Sequence, residues 1–268
     1  MKTERLGATL SLVMLGLLLS IFVPLPAREV RLVLLGSDLN LRFSGPMSLA
    51  LVLVALVCAG VDATISSHPQ SGSWPLGQHI PFWMLPATVV MLASVVLGNL
   101  WWGYQVALIV ATTLMLAFII PLQYYTVDVE DARYTQSRLI LNVITYIVAL
   151  LLFLFLYGTR LRSLLSATGA ALASGALALE LFRQPNQRVG RIWLYAVVVA
   201  GVLGELTWAL NYYTVDMRLG GAFLLLVFYA LTGLVQQYLW GRLTRYVAVE
   251  YGLVCVAGLI SLGLVGLL

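Results

Sequence analysis

The sequence predicts an all-α, polytopic integral membrane helix bundle of about nine transmembrane helices, and three observations predict it. The chain of 268 residues is 61% hydrophobic and only 10% charged, with mean hydropathy +0.97, whereas a soluble domain carries about 25% charged residues. Apolar runs of 18 or more residues recur along it, too long for ordinary core helices and matched to a hydrocarbon layer about 30 Å thick. These runs are continuous and lack the period-2 alternation of barrel strands, and only helices or closed barrels satisfy their backbone in lipid.

A basic flank, Lys2 and Arg5, precedes the first run, Leu6 to Leu25. Leu25 and Ala27 before Arg28 make a poor small-x-small cleavage site, so a retained helix is expected rather than a signal peptide. Residues 27 to 44 mix charge (Arg28, Glu29, Arg31, Asp38, Arg42) with Val30, Leu32, Val33, Leu34 and Leu35, a pattern expected of a short amphipathic segment lying in the interface. Helix 2 is expected from Pro46 to Val61. The stretch from Asp62 to Pro81, rich in Gly, Pro and Ser, reads as a loop whose histidines, His68 and His79, are solvated. With no further ligand at suitable spacing, they make no metal site.

Helix 3 is expected over 82–100 and helix 4 over 103–122, joined by a tight turn in which Trp101, Trp102 and Tyr104 serve as interfacial anchors. Helix 5 follows over 139–157. Helix 6, over 164–182, is rich in small residues, and Gly169 and Ala173 show the small-xxx-small spacing that lets helix backbones approach closely in lipid. Helices 7, 8 and 9 are expected over 192–210, 219–240 and from Tyr246 onward.

An internal echo organises these runs. Tyr124-Tyr125-Thr126-Val127-Asp128 returns as Tyr212-Tyr213-Thr214-Val215-Asp216, each between two apolar runs. After the second run of each copy come a glycine and paired arginines: Gly158, Arg160 and Arg162 in one, Gly241, Arg242 and Arg245 in the other. A fainter copy is Phe22-Val23-Pro24-Leu25 with Asp38, resembling Ile119-Ile120-Pro121-Leu122 with Asp128, so the aspartates recur about every 90 residues. The expectation is a single transmembrane domain over 1–268, built from three related three-helix units near 1–100, 101–190 and 191–268. An odd number of spans inverts successive units, an arrangement found in secondary transporters.

Two groups of residues carry the candidate chemistry. The intramembrane polar group is Glu205, Asn142, Gln236 and Gln237. Glu205 leads it, because a charge inside an apolar run costs about 2.5–3.5 kcal/mol at the centre of a span and so needs a partner or a proton. The interfacial group is Tyr124, Tyr125, Asp128, Glu130, Asp131, Tyr212, Tyr213 and Asp216. Three acidic residues near a membrane surface have the oxygen chemistry to hold a divalent cation. The second copy keeps only Asp216, with Arg218 where Glu130 stood, which favours a helix cap for the shared aspartate and no metal. Paired tyrosines at helix ends read as headgroup-level anchors. Glu130 and Asp131 are expected to pair with Arg133 and Arg138 in solvent, and Glu180 and Glu250 to snorkel or pair near helix ends.

Catalytic signatures such as G-x-S-x-G, H-E-x-x-H, Walker A and G-x-G-x-x-G after a strand are absent from the sequence. The net charge of +4 sits at helix ends as a topology signal, not as a nucleic-acid stripe. Cys58 and Cys255 fall inside apolar runs and read as packing residues. No cofactor is expected. The sequence therefore favours a non-catalytic scaffold or accessory subunit, with membrane lipids and other membrane protein subunits as partners, in a prokaryotic cytoplasmic membrane. The alternatives are a transporter of a small solute, ion or lipid, and a lipid-modifying enzyme using the acidic 128–131 loop.

Overall fold

The computed structural model describes residues 3–22, 28–34, 37–43, 45–72, 74–159, 163–183, 189–213 and 216–267. Among them are nine helices: α1 (Thr3–Phe22), α2 (Gly45–Ile65), α3 (Leu76–Leu97), α4 (Trp102–Tyr125), α5 (Tyr134–Gly158), α6 (Ser163–Phe182), α7 (Val189–Leu210), α8 (Met217–Leu239) and α9 (Arg245–Leu267). Each is 20 to 25 residues long, and at about 1.5 Å per residue that reaches across a hydrocarbon layer. All nine are long and apolar enough to cross a membrane. Thr214 and Val215 of the second echo, Arg160, Arg162 and the 23–25 part of the faint third copy lie outside the described residues.

The helix bounds differ most from expectation at the end of α2 and the starts of α3 and α5. α2 continues to Ile65 and α3 starts at Leu76, so the expected loop from Asp62 to Pro81 is helical at both ends. His79 consequently sits in the first turns of α3 and is buried, not solvated. α5 starts at Tyr134, a full turn before the expected Leu139. Residues 28–43 form an antiparallel hairpin, β1 (Arg28–Leu34) with β2 (Ser37–Phe43), in which Val30 pairs with Leu41 and Leu32 with Leu39.

Two compact units divide the chain. The first, Met1–Pro75 with Pro86–Tyr134, packs α1, α2 and α4 on one another. Close approach there depends on glycine: a Cβ at Gly16 would meet Leu53, and one at Gly60 would meet Thr9. Arg5 Nη1 donates to the Ala63 carbonyl at 3.0 Å.

The second unit, Leu76–Leu85 with Thr135–Leu268, is organised around the antiparallel pair α6 and α7. Ala167, Ala171 and Gly175 on α6 face Ala196, Ala200 and Gly204 on α7. A Cβ on Gly204 would stand 3.0 Å from the Ala171 Cβ, and one on Gly175 would stand 3.0 Å from the Ala200 Cβ. Small residues every fourth position on both partners let the backbones meet, which is how helices associate without a hydrophobic driving force. Helix 6 was expected to pack through small residues and does. The register differs from Gly169 and Ala173, however, since Gly169 faces Leu156 of α5. α8 packs on α6, α7 and α9, and Gly220 and Gly221 bring it against Tyr157 and Leu154 of α5.

Candidate functional site

Within the second unit, the C-terminal end of α6 gathers a buried polar cluster. A helix end leaves its last carbonyls without intrahelical donors, and two other helices supply them. Arg138, in the second turn of α5, donates from Nη2 to the Glu180 carbonyl at 3.0 Å and the Leu181 carbonyl at 2.6 Å. Gln236, near the end of α8, donates from Nε2 to the Leu181 carbonyl at 2.9 Å. The Glu180 side chain is 1% exposed and holds Arg183 Nη2 at 2.8 Å, with Arg138 Nη1 at 3.6 Å. The Arg183 guanidinium lies 3.8 Å over the Phe82 ring of α3. A carboxylate is tolerated at such burial only when paired, and cations beside a helix C-terminus are favoured by its dipole. The cluster therefore clasps α3, α5, α6 and α8 at one end of the unit. Arg138 was expected to pair in solvent with the acidic loop; it is engaged at Glu180 instead.

A second polar group lies in the middle of the same unit. Tyr146 is the central residue of α5, and its hydroxyl is 3.0 Å from Thr232 Oγ1 of α8. Its ring stands 5.6 Å from that of Tyr229, which stands 5.6 Å from that of Tyr251 on α9. Phe228 and Phe153 extend the row. Beside these rings runs a groove of about 310 Å³ between α5, α8 and α9. Asn142 is half-buried one turn before Tyr146.

The four residues of the expected intramembrane site thus take separate places. Gln236 is in the α6 clasp, Gln237 follows it on α8, and Asn142 lies on α5. Glu205 is on the exposed face of α7 with Leu194, Val197, Val198 and Trp208, and no partner for its carboxylate is found among the described residues. One turn away Gly201 is also exposed, with open space where a Cβ would stand. Its helix neighbour Thr207 is turned inward and bonds the Leu203 carbonyl at 2.7 Å.

The interfacial residues divide by copy. Tyr124 meets His68 edge to face at 4.9 Å, and Arg133 lies 5.0 Å over the Tyr125 ring. Asp128 Oδ1 accepts from the Glu130 amide at 3.0 Å, while Asp131 Oδ1 accepts from the Arg133 amide at 2.8 Å just before α5 begins. Glu130 is exposed. In the second copy Asp216 is the N-cap of α8 and accepts from the Arg218 amide at 3.3 Å. Tyr212 and Tyr213 are 73% and 70% exposed, unlike the packed Tyr124. Asn211 beside them donates to Ser166 Oγ at 2.6 Å.

Sequence reasoning missed the clasp and the tyrosine row. The spacing of Glu180 and Arg183, three apart at a helix end, signals their pairing. Arg138 carries no such signal, because its partner lies across the fold.

The chain belongs to the family of proteins of unknown function DUF5656, whose profile matches residues 25–265. Neither a curated protein nor a solved structure matches it.

Proposed function

We propose that this protein is a non-catalytic subunit of a membrane assembly and docks a partner helix on the outer face of α7. Glu205 carries the reading. It stands on an exposed face of an apolar helix, five positions before the helix ends at Leu210, where leaving a carboxylate against lipid is costly. Beside it the open Gly201 provides the hollow that close helix packing in lipid uses. A partner helix bearing Arg, Lys or another donor would cover the carboxylate while seating on the glycine. The polar residues of the acidic loop support the same reading, because Asp128 and Asp131 accept backbone amides rather than converging on a substrate. Short connections support the prokaryotic cytoplasmic membrane as the place of action.

The test is photo-crosslinking in native membranes from a reactive residue at position 201. A discrete protein adduct is expected, and it should weaken severalfold in a Glu205→Leu background. Labelling of lipid alone, or an adduct indifferent to Glu205→Leu, would contradict the reading.

A further inference from the structure

We propose that the groove between α5, α8 and α9 binds a neutral, lipid-soluble quinone. The site is independent of the outer face of α7 and does not need the subunit reading. Tyr146, Tyr229, Ala222, Leu226, Gly258 and Ser261 line it. Tyr146 is central in α5, and Tyr229 lies one residue past the centre of α8, so the inner end of the groove sits near mid-depth of the hydrocarbon layer, about 15 Å from either edge.

Hydrogen-bond accounting at that depth identifies what is missing. Thr232 gives its single proton to the Phe228 carbonyl at 2.6 Å, so the Tyr146 hydroxyl is the donor in its 3.0 Å contact with Thr232. Ser261 gives its proton to the Gly258 carbonyl at 2.9 Å. The Tyr229 hydroxyl finds no acceptor among the described residues. The residues lining the groove thus include one phenolic donor without an acceptor, Tyr229, and two hydroxyl oxygens with lone pairs to spare, Tyr146 and Ser261. A donor without an acceptor in hydrocarbon is unfavourable, so a fitting occupant brings an acceptor to mid-depth.

Common lipid groups do not. An acyl chain fills the groove and offers no acceptor, phospholipid esters stay at headgroup level, and a long-chain alcohol keeps its hydroxyl at the interface. A quinone ring is uncharged and weakly hydrated, carries two carbonyl acceptors, and is flat enough to lie against the tilted rings of Tyr146 and Tyr229. Its reduced form would instead donate to Tyr146 or Ser261, so both states find a partner. A volume of about 310 Å³ is at the lower end of small-molecule pockets and suits a substituted ring with the start of its tail.

The experiment measures binding of decylubiquinone to the purified full chain in nanodiscs, with decylbenzene and decanol as probes of the tail alone and of an alcohol. Saturable binding at one per chain is expected, weakened about five- to tenfold by Tyr229→Phe, with neither control competing. Tyr229→Phe keeps the ring and deletes only the hydroxyl, so it should fold like the parent, which its unfolding midpoint verifies. Absence of saturable quinone binding, equal affinity in Tyr229→Phe, or equal binding of decylbenzene or decanol would overturn the proposal.

Discussion

Glu180 shows how a single buried charge organises its surroundings. Its carboxylate holds Arg183 and faces Arg138, while the same Arg138 and Gln236 satisfy the terminal carbonyls of α6. Neutralising it leaves two guanidiniums without their counter-charge, and breaking a buried pair in this way typically costs about 3–5 kcal/mol. Glu180→Gln should therefore lower stability by about 3 kcal/mol, read as a lower midpoint in an SDS titration of the protein in mixed micelles; an unchanged midpoint would show that the clasp is not structural. At this scale the sequence was legible where the partner is local. Asp216 reads as a cap from its place before an apolar run, and it caps α8. Arg138 was not legible, because only the packing of α5 beside α6 brings it to Glu180. Glu205 was visible as an odd charge in an apolar run, but the face it occupies depends on which side of α7 meets α6.

Among elements, the α6 and α7 pair is the most extensive helix contact in the second unit, and its cause is side-chain size. Gly204 faces Ala171 with no room for a larger group, while Gly201, three residues earlier on the same helix, faces open space. Overpacking typically costs about 1–3 kcal/mol, so Gly204→Leu should destabilise the protein by at least that much while Gly201→Leu leaves the unfolding midpoint nearly unchanged. Equal effects of the two substitutions would contradict this packing. The abundance of small residues in helix 6 announced a packed helix. Its register could not be read, because Gly169 with Ala173 and Ala171 with Gly175 have the same spacing, and only the complementary row on α7 selects one. The hairpin at 28–43 was hidden for a related reason. Val30, Leu32 and Leu34 alternate with charged and apolar residues alike, and pairing with β2 is what gives that alternation a register.

At the scale of the whole molecule, nine helices among the described residues are long and apolar enough to cross a membrane, and the echoes fall at the ends of α4 and α7. We take the three related three-helix units as a proposal that topology can test. Three spans separate the two echo loops, so cysteines placed at Val129 and Tyr213, in a background lacking Cys58 and Cys255, should react with impermeant reagent from opposite sides of the membrane. Reaction from the same side would remove the inverted arrangement. The central claim, that this chain works as one subunit of an assembly, is tested most directly by native mass spectrometry of the protein extracted gently from its own membrane. The account predicts a fixed stoichiometry with at least one further protein chain, reduced by Glu205→Leu; a lone chain carrying only lipid would contradict it.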